Sequence, residues 1–307
     1  MNDKINDDLD HKINKLYKKI LLREVDAEGL KFWKNNILNK TMSLIDIESD
    51  LYASKEFEQI DPKYNFSSNN ETNGFFDDYP NFYKTSHIVS HPNHLNGRFK
   101  AIIESNLDII KDSSILDIAS HDGRWSFAAL KNGAKSIVGI EARQHLVNNA
   151  NENMKTYGIQ QNSFQFIKND IHQEIKKLEP NQFDVIFCLD FLYHTINHWF
   201  LLSQIKRLNP RFIVIDTRID LSNERIIKLH VDYSEKEAHA ASDNAHKTKI
   251  LVGTPSKPSL DMMLTCLDFN DIQYFDWKKN VTNFRNLVDY YHGKRVTLRA
   301  KNNLKSS

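Results

Sequence analysis

Residues 113–127 read SSILDIASHDGRWSF, and this stretch decides the fold. A short apolar run, residues 114–118, carries Asp117 near its end. A tight turn follows, and a helix is predicted to begin near Arg124. Four more strand-like runs follow up to residue 217, separated by helical segments. Alternation of strands and helices at this spacing is typical of βαβ units. The sequence therefore predicts a parallel sheet covered by helices on both faces.

The predicted elements belong to one domain, residues 98–307. We expect strands at 114–118, 136–140, 163–167, 183–188 and 211–217, and helices at 99–107, 124–132, 144–157, 171–178 and 199–208. Two later strands, at 272–275 and 295–300, are expected to pair antiparallel at the sheet edge. The predicted fold class is therefore α/β, with a mostly parallel seven-stranded sheet.

Acidic residues stand at the ends of four successive predicted strands. They are Asp117, Glu141, Asp170 and Asp190. Open α/β sheets bind ligands at the carboxyl ends of their strands, so these side chains are expected to line one site. Glu141, about 20 residues after the first turn, is placed to accept hydrogen bonds from two ribose hydroxyl groups. Taken singly, Glu141 could be a solvated strand end, and Asp170 could cap the following helix.

Residues 98–300 resemble the class I methyltransferases that depend on S-adenosylmethionine (SAM). The first family motif, an acidic residue followed by a glycine-rich turn, matches residues 117–123, where Ala119 and His121 stand at two of three usual glycine positions. The other three motifs match Glu141, residues 169–171 and residues 189–194. The resemblance implies a Rossmann-like fold, SAM as the cofactor and S-adenosyl-L-homocysteine as the product.

The resemblance also implies which residues touch the cofactor. They are Asp117, Ala119, Ser120, His121, Gly123, Glu141, Ala142, Asp170, Ile171 and Asp190. Asp170 is expected near the adenine amino group, and Asp190 beside the methionine end. His121 is larger than the usual glycine and is expected to make the cofactor site unusual. Ala119 and His121 also obstruct the close backbone approach that a pyrophosphate needs, which disfavours a dinucleotide.

His194 and Tyr193 are the predicted catalytic residues. Methyl transfer is an in-line displacement at a sulfonium carbon, so the protein has to align the acceptor and, where needed, remove its proton. An imidazole has an ordinary pKa of about 6.5, which suits His194 as the general base. Tyr193 is expected to orient the acceptor or to contact the cofactor. The alternative is that the pair packs beneath the following helix.

The residues expected to bind the substrate are spread along the chain. They are Tyr83, Arg98, Arg218 and His230. Residues 61–97 are predicted to form a linker and an active-site cap, and an insertion around 221–255 is predicted to cover the substrate. A surface ion-pair cluster is the alternative for Arg218 and its neighbours. The histidines of the insertion match no tight ligand spacing, so no metal site is predicted.

Residues 1–60 are predicted to form a small helical domain. They resemble a short helical module found on bacterial surface-polysaccharide and secreted proteins. The matching residues are Tyr17, Leu21, Leu22, Arg23, Asp26, Gly29, Phe32, Trp33, Ser54, Glu56 and Phe57. Asp26 is expected to cap the second helix, and a third helix is expected from Ser43 or Asp46 to near Phe57. The resemblance implies an accessory or docking role, and a cap that shields the main domain is the alternative.

The composition limits the kinds of partner. The chain has 307 residues with 41 basic and 40 acidic side chains, a net charge of +1. This balance disfavours nucleic acid and anionic membranes and favours a small-molecule substrate. No apolar run approaches the about 20 residues that span a bilayer, and the polar N-terminus lacks the core of a signal peptide, so a cytoplasmic location is expected. The oligomeric state stays open, with a homodimer among the alternatives.

Three functions remain in competition. The leading one is methyl transfer from SAM to a small polar acceptor such as a sugar or nucleotide-sugar. The second is modification of the wobble uridine of tRNA, because residues 191–194, FLYH, resemble the carboxymethyl-transferring tRNA enzymes of this superfamily. The third is a non-catalytic SAM-binding or scaffold protein, which the loss of two glycines from the first motif would favour.

Overall fold

The computed structural model describes residues 2–39, 42, 44–52, 54–60, 74–85, 92–233, 248–282, 284 and 286–303. The chain divides into two compact units. The smaller unit comprises residues 1–70 and 281–288, and the larger unit comprises residues 71–280 and 289–307. Each unit is described by itself below.

Four helices of the smaller unit fall entirely within the described residues. They are α1 (Asn2–Ile20), α2 (Ala27–Leu38), α3 (Leu44–Tyr52) and α4 (Lys55–Ile60). Ile13, Ile20 and Ile47 are fully buried and form the centre of its core. The predicted cap of α2 is confirmed, since Asp26 Oδ1 accepts a hydrogen bond from the Gly29 amide at 2.8 Å.

The prediction of a single third helix that ends near Phe57 was wrong. The structure has two helices, α3 and α4, in place of one ending near Phe57. The hydroxyl group of Ser54 accepts a hydrogen bond from the Phe57 amide at 3.1 Å and so starts α4 as a separate helix. Ser43, one of the two predicted starting points, lies outside the described residues.

The larger unit is built on a seven-stranded sheet. The strands in the described part of this unit are β1 (Ser114–Ile118), β2 (Ser136–Glu141), β3 (Phe164–Lys168), β4 (Val185–Leu189), β5 (Phe212–Arg218), β6 (Ile227–Tyr233), β7 (Lys249–Pro255), β8 (Phe269–Tyr274) and β9 (Arg295–Asn302). The main sheet has the order β3-β2-β1-β4-β5-β9-β8, and β6 and β7 form a separate antiparallel pair. Strands β1 to β5 run parallel, while β9 runs antiparallel to both β5 and β8. The predicted seven-stranded, mostly parallel sheet with an antiparallel edge is confirmed.

Helices precede and separate these strands in the sequence. They are α5 (Asn81–Thr85), α6 (Pro92–Ile102), α7 (Leu107–Ile110), α8 (Arg124–Lys131), α9 (Gln144–Thr156), α10 (Ile171–Glu174), α11 (His198–Arg207), α12 (Lys257–Cys266), α13 (Trp277–Asn280) and α14 (Val288–Tyr291). The helix predicted at 99–107 was placed too late, because α6 begins at Pro92, where a missing amide proton costs no helical hydrogen bond. It ends at Ile102 because the amide group of Asn106 donates to the carbonyl oxygens of Ala101 and Ile102.

Side chains alternate across the sheet and build one core on each face. In β4, Val185 and Phe187 belong to a core that includes Phe127 of α8, while Ile186 belongs to a second core that includes Leu201 of α11. Period-two alternation in a central strand therefore buries both faces, and helices cover both. This arrangement leaves the carboxyl ends of β1 to β5 at one edge of the sheet, where the loops are free to build a site.

Candidate active site

The loop after β1 has an unusual backbone. Ala119, His121 and Gly123 all take left-handed conformations, with φ angles of 55°, 52° and 76°. These are the three positions at which the methyltransferase motif has glycine, although only one glycine is present. A left-handed conformation costs a non-glycine residue about 1–2 kcal/mol. The loop therefore keeps a conformation suited to glycine after two glycines have been replaced.

Glu141 holds this loop from the end of β2. Its Oε2 atom accepts a hydrogen bond from the His121 amide at 3.1 Å, and Oε1 accepts one from the Arg143 amide at 2.9 Å. Glu141 is only 5% exposed, so it is not a solvated strand end. Gly139 allows the close packing, because a Cβ atom there would lie 2.7 Å from Ser120 Oγ and 2.4 Å from the Phe166 ring.

His121 points a polar atom into the protein beside the loop. Its Nδ1 atom lies 2.8 Å from Arg124 Nη2, while its buried Nε2 atom has no hydrogen-bond partner among the described residues. Asp122 is fully buried and accepts hydrogen bonds from Arg124 Nε at 2.6 Å and Thr85 Oγ1 at 2.7 Å. Burial alone would raise the pKa of Asp122, but Arg124 outweighs it and holds that pKa below its ordinary value.

Asp117 and Asp170 differ in their surroundings. Burial raises the pKa of Asp117 to about 7, and the Ser126 hydroxyl group donates a hydrogen bond to it at 2.6 Å. Asp170 accepts a hydrogen bond from the His172 amide at 2.7 Å and so caps α10, as the alternative for this residue anticipated. Ile171 beside it is buried in the second core. Ala142 lies in the bend that follows Glu141.

A buried cluster of charges lies where β4, β5 and β9 meet. We call Arg98, Asp190, Asp216 and Arg295 the arginine–aspartate cluster. Arg98 Nη2 lies 2.5 Å from Asp190 and 3.0 Å from Asp216. Arg295 donates to Asp216 at 2.8 Å and also pairs with Asp190. With two guanidinium groups and two carboxylates, the cluster has no net charge.

Hydroxyl groups complete the coordination of this cluster. Asp216 is fully buried and also accepts hydrogen bonds from Tyr290 Oη at 2.9 Å and Thr297 Oγ1 at 2.5 Å. Arg295 Nη2 donates to Tyr193 Oη at 2.9 Å. Burial would raise the pKa of Asp190, but Arg295 and Arg98 outweigh it and hold that pKa well below its ordinary value. Asp190 is therefore ionised, and 35% of its side chain is exposed.

Sequence reasoning missed Arg295 and Tyr290. Arg295 is the first residue of β9, and β9 runs antiparallel to β5, with Arg295 opposite Arg218 and Thr297 opposite Asp216. The beginning of an antiparallel strand lies at the same edge as the carboxyl ends of its parallel neighbours. The predicted strand order therefore contained the signal that Arg295 reaches the site.

Tyr193 and His194 lie in a short 3₁₀ turn after β4, at residues 192–194. Leu192 is buried in the second core, whereas Tyr193 and His194 are half-buried. Leu192, rather than the Tyr–His pair, is therefore the residue of this turn that is fully packed into the core. His194 Nδ1 lies 3.1 Å from Asp232 Oδ2 of β6, and burial lowers the pKa of His194 to about 3. The expectation that His194 keeps the ordinary imidazole pKa of about 6.5 was therefore wrong, and its role as a base stays a prediction.

The structure brings some predicted substrate residues together and holds others elsewhere. Arg98 belongs to the arginine–aspartate cluster, and Arg218 lies over the Tyr193 ring with its Nε 3.3 Å from Asp289. His230 is exposed on β6. Tyr83 donates a hydrogen bond to Asp77 at 2.5 Å and accepts one from Asn96 at 3.2 Å.

Two further predictions concern metals and membranes. Among the residues that the structure describes, no group of three His, Cys, Asp or Glu side chains is arranged to hold a metal ion. His239 and His246 of the insertion, and residues 61–73 and 86–91 of the predicted linker, lie outside the described residues. Within the described part of the chain, no helix is both long enough and apolar enough to cross a membrane.

Comparison with known families identifies the larger unit. The family model of the methyltransferase domain matches residues 109–286, which is more than half of the chain. The chain belongs to this methyltransferase family. This family assignment makes the chain a SAM-dependent methyltransferase. Residues 4–60 match a second model, a domain of unknown function (DUF4214).

Individual relatives of this methyltransferase resemble it over part of its length. A tRNA U34 carboxymethyltransferase from Nautilia profundicola is 29% identical over 141 residues, 44% of this chain and 43% of the relative. One from Helicobacter pylori is 32% identical over 92 residues, 29% of this chain and 33% of the relative. The matches thus span less than half the length of these curated relatives. The N-terminal domain of EvdMO1, solved with SAH and D-fucose, shares the fold at a TM-score of 0.51 and 16% identity, covering 70% of this chain and 84% of that one.

Proposed function

We propose that this methyltransferase transfers the methyl group of SAM to a hydroxyl group of a small polar acceptor such as a sugar or nucleotide-sugar. The observation that carries the proposal is the set of hydrogen-bonding groups after β4. Asp190, Tyr193 and His194 offer a carboxylate, a hydroxyl group and a neutral imidazole beside a cluster with no net charge. These groups suit an acceptor that binds through hydroxyl groups rather than through charge.

The loop after β1 fits SAM. The buried Nε2 atom of His121 lacks a partner among the described residues, and each carboxylate oxygen of Glu141 accepts one backbone hydrogen bond and can accept another from a ribose hydroxyl group. Asp117, Ser120 and Asp170 would complete the contacts. Bound SAM supplies an electrophilic methyl group on a sulfonium centre. His194 takes the proton from the acceptor hydroxyl group, and Tyr193 orients it.

The remaining parts of the molecule enter the proposal in supporting roles. The β6–β7 insertion, which carries His230, would cover the bound acceptor, and Arg218 would contact its polar groups. Residues 1–60 would act as an accessory or docking domain. We place the enzyme in the cytoplasm, where SAM and nucleotide-sugars are both present.

Carboxymethyl transfer to the wobble uridine of tRNA is the second candidate. It is favoured by the similarity to curated relatives that are named for this activity. A carboxymethyl group carries a carboxylate, which needs unpaired positive charge at the point of transfer. In this chain Arg98 and Arg295 are already paired with Asp190 and Asp216, and the net charge of +1 offers no general attraction to RNA.

The experiment that separates these functions is a mass-resolved transfer assay. The purified protein is incubated with SAM or with the SAM analogue that carries a carboxymethyl group in place of the methyl group. Each donor is tested with a panel of sugars and nucleotide-sugars and with bulk tRNA. We expect a gain of one methyl group on a small molecule, and its loss in His194→Gln with SAM affinity retained. Modification of tRNA alone, whether by methyl or by carboxymethyl, would overturn the proposal.

A further inference from the structure

Three polar contacts between described residues join the β6–β7 hairpin to the segment that carries His194. The Gly253 amide donates to the Thr195 carbonyl oxygen at 3.1 Å, and His198 Nε2 donates to the Gly253 carbonyl oxygen at 2.9 Å. The third contact joins His194 Nδ1 to Asp232 Oδ2 at 3.1 Å. The first two contacts already join the hairpin to this segment through main-chain atoms of Thr195 and Gly253.

We propose that Asp232 is a positioning residue that holds the proton of His194 on Nδ1 and so leaves Nε2 as the atom that accepts the proton of the methyl acceptor. This inference rests on the proposed function. It assigns a role in the reaction to the insertion between β5 and β8, beyond that of a cover.

The tautomer follows from the chemistry of the contact. An ionised carboxylate can only accept hydrogen bonds, so the imidazole nitrogen that faces an ionised Asp232 carries the hydrogen. A neutral imidazole has one hydrogen, which leaves the lone pair on Nε2. Nε2 has no hydrogen-bond partner among the described residues, and 19% of the His194 side chain is exposed. Asp232 is 6% exposed, so water competes little for its carboxylate.

The charges around His194 explain why a partner is needed. The ring faces the carboxylates of Asp190 after β4 and Asp232 on β6, the phenol of Tyr193, and the guanidinium groups of Arg143 after β2, Arg218 on β5 and Arg295 on β9. Burial and the three arginines disfavour the imidazolium. Asp232 lies against the ring and stabilises the positive charge that appears when Nε2 takes a proton.

In the transfer step, SAM supplies the methyl group, the acceptor supplies the oxygen nucleophile and the proton, and His194 takes up that proton. The acceptor oxygen forms a bond to the methyl carbon while the bond between that carbon and sulfur breaks, and its electron pair stays on sulfur. The acceptor proton passes to His194 Nε2. The imidazolium keeps its hydrogen bond to Asp232 and then releases the Nε2 proton to water.

The first test is spectroscopic and needs no acceptor. Long-range ¹⁵N–¹H correlation spectra of the full chain report which imidazole nitrogen carries the hydrogen, with His194→Gln identifying the signal. We expect hydrogen on Nδ1 in the natural protein and a mixture of tautomers in Asp232→Asn. Hydrogen on Nε2 of His194 in the natural protein would overturn the proposal.

The second test is kinetic. With the acceptor found in the transfer assay, Asp232→Asn is expected to lower kcat about 100-fold, the scale of general-base catalysis, with SAM affinity unchanged within twofold. Asp232→Glu keeps the carboxylate and is expected to recover part of this loss. Asp220→Asn makes the same change in a residue that pairs with Lys228 and is the matched control, with kcat unchanged.

The outcomes separate this inference from the proposed function. If the natural protein modifies no small molecule, the proposed function fails, while the spectra still decide the tautomer. If it turns over but Asp232→Asn keeps its kcat, the positioning role of Asp232 fails and methyl transfer stands. If Asp232→Asn does not fold, Asp232→Glu and the spectra of the natural protein decide.

Discussion

Replacing Arg295 by methionine is expected to destabilise the larger unit by about 3 kcal/mol, because it breaks the arginine–aspartate cluster. Methionine matches much of the length of arginine without its charge, so the substitution tests electrostatics more than packing. Arg295 is 7% exposed and donates to Asp216, Asp190 and Tyr193. Its loss leaves two buried or half-buried carboxylates with less compensation.

The magnitude follows from what the carboxylates retain. Removing one partner of a buried ion pair costs about 3–5 kcal/mol when the other charge is stranded. Asp216 keeps Arg98, Tyr290 and Thr297, and Asp190 keeps Arg98, so neither is stranded completely. The lower end of the range therefore applies. For a unit of this size about 3 kcal/mol corresponds to a fall in Tm of about 6–12 °C.

Urea and thermal unfolding, followed by circular dichroism at neutral pH, measure the loss. Arg299→Met is the matched control on the same strand, because Arg299 pairs with Asp108, whose side chain is 62% exposed. An exposed pair of this kind contributes at most about 1 kcal/mol. Adding Asp190→Asn to Arg295→Met removes one of the carboxylates that lost its partner. This double variant is expected to recover part of the free energy of unfolding that Arg295→Met loses. Equal losses for Arg295→Met and Arg299→Met would refute the reasoning.

Three other substitutions test the cofactor loop. In the natural protein the pKa of Asp117 is raised to about 7, so the folded state holds a proton that the unfolded chain releases above about pH 4. The free energy of unfolding of the natural protein therefore falls as the pH rises from about 4 to 7. Asp117→Asn is expected to flatten this pH dependence. Glu141→Gln places an amide NH2 group against the backbone amide of His121 or Arg143, where two donors face each other. It is expected to weaken the affinity for SAM, measured by calorimetry, about 10-fold or more. An unchanged affinity would remove Glu141 from the site. Gly139→Ala is expected to cost about 1–3 kcal/mol on unfolding, because its Cβ would overlap Phe166; a neutral result would mean that the loop yields easily.

The sheet could be predicted from sequence because its signals are local. The run from Ser114 to Ile118 is apolar and short, and it is followed by a turn and a helix, so its neighbours in sequence determine its structure. The positions of the acidic residues could be predicted for the same reason, because each one lies at the end of a strand that its own neighbours in sequence determine. The bounds of α6 were not predicted, since its start at Pro92 and its end at Ile102, where the Asn106 amide group binds the last carbonyl oxygens, depend on individual residues.

The arginine–aspartate cluster could not be read from sequence in the same way. Arg98, Asp216 and Arg295 are separated by long stretches of chain and meet only because α6, β5 and β9 reach the same edge. Asp232 presents the same difficulty, since its contact with His194 depends on how the insertion folds back. Local patterns fix which segments form strands, whereas the charge balance of the site depends on contacts between distant segments.

The charge balance links the stability of the site to its choice of ligand. Asp190 takes a left-handed backbone conformation, and its amide donates to the Asp216 carbonyl oxygen at 2.8 Å, so its carboxylate is held beside Arg98 and Arg295 by main chain as well as by side chain. A ligand carboxylate would have to displace it to reach either arginine, and would then lie against an unpaired Asp190. The interactions that stabilise the cluster therefore also work against an anionic group at the point of transfer, whereas an uncharged methyl group and a hydroxyl acceptor leave every ion pair in place.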